Sequence, residues 1–372
     1  MREYAKRGHR VFFVEAALTW MKLLKGRSYW TQILLIFKGA RVVEDGVIAV
    51  MMPPFFPGGE WIRTITELNW LLIRLWLKLT IYRQFKIDSP RLFLFAPTSY
   101  LLVGKLGETV SIYYCNDPFA ALFRFASARK TLDRMENELT RRVDVVFAVS
   151  DKLVEDRKAF NPRTFLVPHA VDSELYAMAL DPNTVVPADI AACPKPVFGH
   201  VGVLNIRIDV PFVKAIAEKM PESSFVFIGP IIEVENDYRK QLLSLDELPN
   251  VFFLGDKREE ELPRYLKGID VCMVPYIQAP MMKYIRANAK FYQFVAAGRP
   301  VVSTVDVLGF EDEIVISAHD PESFVQSLKR AINFHSPAHI QKRLALAGQN
   351  THSARVDMIN NILSTLPERK TK

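Results

Sequence analysis

Lys290 stands in the first turn of a predicted helix, where its ammonium group could bind an anion. The helix is predicted to begin near Asn288, because Phe291, Phe294 and Val295 repeat at three- and four-residue spacing. The first turn of a helix has free N–H groups and a partial positive charge, which together with a lysine could form a phosphate-binding site. The same pattern is typical of an ordinary surface helix packed on a sheet, so both interpretations stay open at this point.

A glycine turn earlier in the chain offers a second set of phosphate-binding groups. The apolar segment from Val197 predicts a buried strand that enters a turn at Gly202 and Val203, with Arg207 shortly after it. Glycine permits close approach of the backbone to a diphosphate, and the guanidinium of Arg207 is able to pair with its oxygens. A G-x-x-G spacing is a weak signal by itself.

The elements that would position these groups alternate between strand and helix. Segment 288–303 predicts a helix, a turn and a buried strand, because Gly298 suits the C′ position and Pro300 then releases the chain into an apolar pair. Further buried strands are predicted at 11–14, 92–95, 110–114, 145–149, 197–204 and 269–276, and strands that run into a turn at 224–230 and 250–257. This alternation indicates an α/β protein with parallel sheets.

Length, charge and cysteine content indicate the number of domains and the kinds of partner that the protein could bind. A chain of 372 residues exceeds what one core usually supports, so two domains are predicted. The net charge of +7 comes from the first 110 residues, which contain 16 Lys and Arg against 8 Asp and Glu, whereas the remainder has 32 against 33. A basic surface there suits anionic lipid or a phosphorylated acceptor, and no recognisable motif accompanies it that would favour nucleic acid. The three cysteines are far apart and favour a reducing compartment over a zinc site.

A long helix is predicted from about Trp61 to Phe85. Arg63, Glu67, Arg74 and Lys78 fall on one narrow stripe, and apolar residues surround that stripe on the other sides. One interpretation is a membrane-surface helix with cations reaching lipid headgroups. The alternative, a helix packed within the first domain, is favoured by the apolar residues on all its faces.

The segment around Lys290 resembles the P-x-K-x-x-E-Y-x-A-x-G-x-P-V-V signature of GT-B glycosyltransferases, the group 1 or family-4-like enzymes that build bacterial cell-surface polysaccharides. The matching residues are Lys290, Ala296, Gly298, Pro300, Val301 and Val302. Gln293 stands where the family has glutamate, and Ile285 where many members have a second glutamate.

Three other segments are similar to motifs of the same family, in the same order along the chain. Residues 199–209 resemble its G-x-x-G-x-x-x-x-R-x-D element, residues 165–172 its V-P-N-G-V-D turn, and residues 350–355 its N-S-W-x-x-R segment. The resemblance implies the GT-B architecture, in which two doubly wound Rossmann-like domains face one another across a cleft. The first domain is expected to lack its opening strand, or the natural start lies upstream.

The resemblance also predicts domain boundaries. Residues 1–176 are expected to form the acceptor-binding domain, 177–196 a linker, and 197–345 the nucleotide-sugar-binding domain. Residues 346–372 are expected to form a final helix that packs back on the first domain.

The resemblance assigns roles to individual residues. Arg207 and Lys290 are expected to neutralise a departing diphosphate, and Asp117, after a tyrosine-rich strand, is either an acceptor contact or general base, or else an ordinary turn residue. The expected donor-binding residues are Gly202, Val203, Leu254, Gly255, Asn288, Ala289 and Gln293. No metal ligands and no cofactor are expected, apart from the nucleotide diphosphate sugar as co-substrate.

The implied function is transfer of a sugar from a nucleotide diphosphate donor to a cell-surface glycan or lipid-linked acceptor. Two alternatives remain: an epimerase or hydrolase of the same fold acting on a nucleotide sugar, and a catalytically weakened partner protein, suggested by Ile285 and Gln293. The expected location is the cytoplasm, at the inner face of the cell membrane, with peripheral contact to anionic lipid through the basic first domain and no nucleic-acid partner.

Overall fold

The computed structural model describes residues 1–15, 40–54, 56–57, 62–119, 126–232, 236–284, 288–307 and 310–367. Predictions on Ile285 and on the start of the long helix at Trp61 lie outside this part of the chain. Contacts divide the chain into two compact units. The first comprises Met1–Val167 and Val356–Lys372, and the second Pro168–Arg355.

In the described part of the first unit, the strands form two sheets. The strands β1 (Val11–Glu15), β3 (Val47–Met51) and β2 (Ala40–Glu44) make one sheet in that order, with β1 and β3 parallel and β2 antiparallel to β3. The second sheet is parallel and has the order β4–β5–β6–β7, made of Arg91–Leu94, Val110–Cys115, Val145–Ala148 and Thr164–Leu166. Its central strands are apolar and almost fully buried, as a parallel sheet covered on both faces requires.

Helices pack around these sheets. In the described part of the first unit they are α1 (Arg2–Lys6), α2 (Arg63–Leu77), α3 (Arg83–Phe85), α4 (Ala126–Arg142) and α5 (Asp151–Lys158), with a π-helical turn at Lys78–Tyr82 joining α2 to α3 and a 3₁₀ turn at Pro97–Leu102. The last segment of the chain also belongs to this unit, since Ile359 packs with Ile112, Val145, Phe147 and Val167 in one core cluster.

The second unit is built on one six-stranded parallel sheet. Its strands are β8 (Val197–Val201), β9 (Ser224–Ile228), β10 (Val251–Gly255), β11 (Val271–Val274), β12 (Val301–Ser303) and β13 (Val315–Ser317). Their order across the sheet is β10–β9–β8–β11–β12–β13. This is the doubly wound Rossmann order, in which the strand sequence reverses between the first and fourth strands. The carboxyl ends of β8 and β11 therefore flank the switch point where such sheets hold ligands.

The described helices of the second unit precede, connect and follow these strands. They are α6 (Ser173–Ala177), α7 (Ala188–Ala191), α8 (Val210–Lys219), α9 (Asn236–Leu243), α10 (Leu262–Gly268), α11 (Ala289–Ala296), α12 (Pro321–Ala331), α13 (Pro337–Gly348) and α14 (His352–Ser364), the last of which continues into the first unit. Short 3₁₀ turns occur at Met178–Leu180, Ser244–Glu247, Glu259–Glu261 and Pro280–Tyr284. The predicted linker 177–196 belongs to this unit, because Ala179, Ile190 and Cys193 are buried in its core.

The predicted helix, turn and strand at 288–303 are confirmed. Helix α11 ends at Ala296, Gly298 adopts a left-handed φ of 69°, and β12 follows. The amides of Gly298 and Arg299 donate to the carbonyls of Val295 (3.0 Å) and Phe294 (2.9 Å) and so close the helix end.

No helix in the described ranges combines the length and the apolar character that crossing a bilayer demands.

Candidate functional site

Three strands of the second unit end in glycine turns that pack on one another. Gly202 follows β8, Gly229 follows β9, and Gly255 ends β10. The amide of Gly202 donates to Ile228 O (2.8 Å) and that of Gly229 to Gly255 O (2.9 Å). A Cβ on Gly229 would lie 2.1 Å from the carbonyl oxygen of Gly202, so only glycine fits there. The backbone of Gly202, Gly229 and Gly255 therefore forms one narrow surface beside the switch point, which we call the glycine shelf.

Lys290 reaches this shelf from the first turn of α11. Its Nζ donates to the hydroxyl oxygen of Tyr276 (2.6 Å) and to Nε2 of His200 (3.2 Å). A Cβ on Gly202, whose φ is 129°, would lie 2.8 Å from the same nitrogen. The ammonium group is therefore fixed directly over the glycine turn by one side chain from β8 and one that follows β11.

His200 is neutral and oriented by the strand next to it. The ring is fully buried in β8, and its Nδ1 lies 3.0 Å from the carbonyl oxygen of Met273 in β11. Because a carbonyl only accepts, Nδ1 carries the proton and Nε2 is left to accept from Lys290. Burial, and then the charge of Lys290, hold the pKa of His200 well below its usual range.

Arg207 lies in the loop that leaves β8, at the same edge of the sheet. Its backbone is tied to the segment after β11, since Arg207 O accepts from the amide of Ile277 (2.8 Å) and Asp209 N donates to Pro275 O (2.9 Å). The amide of Arg207 donates to the side chain of Asn205 (3.1 Å). The guanidinium is half-buried, and no ionic or hydrogen-bond partner for it occurs among the residues the structure describes. Arg207 and Lys290 are thus brought to one edge of one sheet.

The first turn of α11 differs from the prediction in one respect. The side chain of Asn288 accepts from the amide of Phe291 (3.1 Å), so the turn is capped rather than fully open. The amides of Ala289 and Lys290 lie between Asn288 and Phe291, have no acceptor among the described residues and are open to a ligand. Gln293 lies one turn further along and is half-buried.

The other predicted donor residues lie at the same strand ends. Val203 follows Gly202, and Leu254 and Gly255 end β10, where the pairing register with β9 shifts. Their backbone groups are in position to line a ligand at this edge.

Asp117 lies in the first unit, two residues beyond β5. Its carbonyl accepts from the amide of Phe119 (3.0 Å) and from the thiol of Cys115 (3.8 Å). Nearby in the same unit, the carboxylate of Glu136 accepts from Tyr113 Oη (2.7 Å), and burial raises its pKa although Arg157 opposes the shift. Asp117 is at the carboxyl edge of its sheet, and its role stays a prediction.

Sequence reasoning did not identify His200, Tyr276 or Gly229 as site residues. His200 stood in a predicted apolar strand two residues before Gly202, and a histidine in such a strand needs a buried partner. That partner, Lys290, is 90 residues away. The described residues contain no group of three or more His, Cys, Asp or Glu side chains that could hold a metal ion.

Three histidines of the second unit should make the folded state less stable in acid. Burial lowers the pKa of His169, His200 and His335. At a pH below about 6.5, the pKa of histidine in the unfolded chain, each ring therefore gains a proton when the protein unfolds. The free energy of unfolding should therefore fall as the pH drops below 6.5, by up to about 1.4 kcal/mol per pH unit for each group. Denaturant titrations between neutral and mildly acid pH check this. His200→Gln should make the dependence shallower, and an unchanged slope would show that His200 does not contribute.

The part of the chain that contains these residues is similar to known proteins. Residues 195–333 match the family model described as glycosyl transferases group 1. Over 205 residues the chain is 29% identical to TuaH of Bacillus subtilis (strain 168), whose name assigns it to teichuronic acid biosynthesis as a glycosyltransferase. That match covers 52% of this chain, and the chain spans about half (50%) of the relative's length.

Two solved structures share the fold over almost the whole chain. Sucrose-phosphate synthase from Thermosynechococcus elongatus has a TM-score of 0.67 at 14% identity and covers 97% of this chain and 90% of its own. Anabaena Alr3699/HepE in complex with UDP has a TM-score of 0.63 at 14% identity, with 96% and 99% coverage. Residues 195–333, which contain Lys290, Arg207 and the glycine shelf, therefore match the group 1 glycosyl transferase model, within a chain whose fold is similar to that of these two solved structures.

Proposed function

We propose that the protein is a glycosyltransferase that moves a sugar from a nucleotide diphosphate donor to a cell-surface glycan or lipid-linked acceptor. The observation that carries this proposal is the ammonium group of Lys290, held over Gly202 by His200 and Tyr276 within a group 1 domain. A fixed cation above a glycine turn, at the switch point of a Rossmann sheet, suits the diphosphate of a nucleotide sugar.

The proposed chemistry depends on charge that grows on the leaving group. As the bond from sugar to diphosphate breaks, negative charge builds on the diphosphate oxygens. Lys290 meets that charge without rearrangement, because its ammonium is already positioned, and the side chain of Arg207 supplies a second cation. The amides of Ala289 and Lys290 at the helix N-terminus add partial positive charge.

The remaining donor contacts are proposed from position. Gly202 and Val203 would approach the diphosphate through their backbone, and Leu254 and Gly255 would line the nucleobase. Asn288 and Ala289 form the first turn facing the phosphate, and Gln293 would accept a hydrogen bond from a sugar hydroxyl through its amide oxygen. No metal ion takes part in this scheme.

The acceptor is proposed to bind to the first unit. Asp117 lies at the carboxyl edge of a parallel sheet, where it would contact the acceptor hydroxyl or take its proton. The proposed location of the protein is the inner face of the cell membrane, where lipid-linked acceptors are found.

A second candidate function is a weakened partner protein, because Gln293 replaces a carboxylate of the family motif. The neutral amide makes a weaker hydrogen bond to a sugar hydroxyl than a carboxylate does. Such a protein would bind nucleotide sugars weakly and turn over none. Release of free sugar without an acceptor would instead indicate a hydrolase.

Thermal unfolding in the presence of nucleoside diphosphates tests the donor site. The best-fitting diphosphate should raise the melting temperature, since a ligand at 100 times its dissociation constant adds about 2.7 kcal/mol of stability. Arg207→Ala should reduce that shift, because it removes the guanidinium but leaves the loop's backbone bonds in place.

Arg330→Ala is a matched control. Arg330 is an exposed arginine of α12 that pairs with Asp312 (3.1 Å), and it should leave the ligand-induced shift unchanged. If no nucleoside diphosphate stabilises the wild-type protein, the proposed donor site is wrong.

A further inference from the structure

Helix α2 and the turn after it have a leucine-rich face that is exposed in the described structure. The helix buries Thr66, Asn69, Trp70, Ile73 and Leu77 against the first unit. Its outward face carries five leucines that are 42% to 68% exposed, namely Leu68, Leu71, Leu72, Leu75 and Leu79. The prediction of a helix packed within the first domain therefore accounts for one face of this element, and the other face is exposed.

Helix geometry places these leucines on one continuous stripe. At about 100° per residue they fall within an arc of roughly 100°, opposite the buried residues. Six leucines of the described chain are more than a third exposed, and five of them lie here. Single exposed leucines are ordinary, whereas a contiguous apolar stripe on a soluble surface indicates a binding surface.

The charges beside the stripe select its partner. Residues 63–86 contain five cations, Arg63, Arg74, Lys78, Arg83 and Lys86, against one acid, Glu67. Arg63, Arg74 and Lys78 lie along one edge of the stripe, and half-buried Trp76 lies along the other. A second copy of this chain would bring the same cations together, and like charges at an interface cost binding energy. An anionic surface instead gains from them.

We propose that this helix face binds the surface of a bilayer containing anionic phospholipid. The leucines would enter the boundary between headgroups and acyl chains, Trp76 would lie at the interface, and the cations would contact lipid phosphates. The assignment goes beyond the donor site and does not depend on it, since every residue involved belongs to the first unit.

Co-sedimentation of the full chain with lipid vesicles tests the proposal. The protein should bind vesicles of phosphatidylcholine mixed with phosphatidylglycerol and bind phosphatidylcholine vesicles much less. Leu75→Gln/Leu79→Gln should weaken binding by roughly tenfold or more, because two leucines no longer leave water. Arg74→Gln/Lys78→Gln should weaken it to a similar degree and make the remaining binding less sensitive to salt.

The matched control is Val185→Gln/Leu243→Gln, which changes two equally exposed apolar residues of the second unit and should leave vesicle binding unchanged. All three variants replace exposed or half-buried side chains, and unaltered melting temperatures would show that they fold. Equal vesicle binding by the leucine variant and the wild type would overturn the proposal. So would a wild-type dimer in light scattering that the leucine variant dissociates, since a second copy would then cover the stripe.

Discussion

Lys290→Ala is expected to lower the rate of sugar transfer by about 10²- to 10³-fold, the usual cost of removing one preorganised group from a developing negative charge. The ammonium is held by Tyr276 Oη (2.6 Å) and His200 Nε2 (3.2 Å), so it needs no rearrangement to meet the diphosphate. The measurement is kcat and KM with the donor found by the thermal screen. Because the lost interaction strengthens in the transition state, most of the effect should appear in kcat.

The same change should affect folding much less. Alanine is the best helix former, and the loss is confined to the two hydrogen bonds that Lys290 donates to Tyr276 Oη and His200 Nε2. Leaving a buried acceptor such as His200 Nε2 without its donor costs about 1–3 kcal/mol. Lys214→Ala, which removes an exposed lysine of α8 that pairs loosely with Glu218 (3.9 Å), is the control and should leave transfer unchanged. Transfer by Lys290→Ala at the wild-type rate would refute the role of Lys290 at the leaving group.

Gly229→Ala is expected to abolish binding of nucleoside diphosphates and to destabilise the second unit. The added Cβ would lie 2.1 Å from the carbonyl oxygen of Gly202, and the φ of 143° at Gly229 is one that side-chain-bearing residues rarely adopt. Strain of this kind costs about 1–3 kcal/mol before any overlap is counted. Since Gly202 must move to relieve the overlap, the shelf under Lys290 changes shape.

Thermal unfolding with and without the diphosphate measures both effects of Gly229→Ala. Gly348→Ala is the matched control: Gly348 ends α13, has open space where a Cβ would stand, and does not require a left-handed φ. That variant should keep the wild-type melting temperature and ligand shift. If Gly229→Ala retained full ligand binding, the close packing of the glycine turns would not be what shapes the site.

Local pattern was sufficient for the elements that carry the site. The spacing of Phe291, Phe294 and Val295 predicted α11, and the buried face of that helix contains all three. Gly298 and Pro300 predicted where the helix ends and β12 begins, because each restricts the backbone of its own residue and its neighbours. These backbone preferences depend only on neighbouring residues, so they can be recognised in a single sequence.

Local sequence pattern could not predict the contacts of Lys290. Its partners His200 and Tyr276 are 90 and 14 residues away, and each comes close only because β8 and β11 are neighbours in the sheet. Strand order depends on the packing of the whole unit, and residue spacing along the chain does not encode it.

By itself, the sequence determined the alternating strands and helices, the positions of the residues proposed to bind phosphate and the excess of positive charge in the first third. Those properties depend on side-chain chemistry and on short-range periodicity. Only the tertiary structure decided that a neutral histidine and a tyrosine fix Lys290, that Gly229 admits no side chain, and that five leucines of one helix remain in water. Each of these follows from which distant segments pack together, because burial, the pKa of His200 and close backbone approach exist only once the sheet has formed.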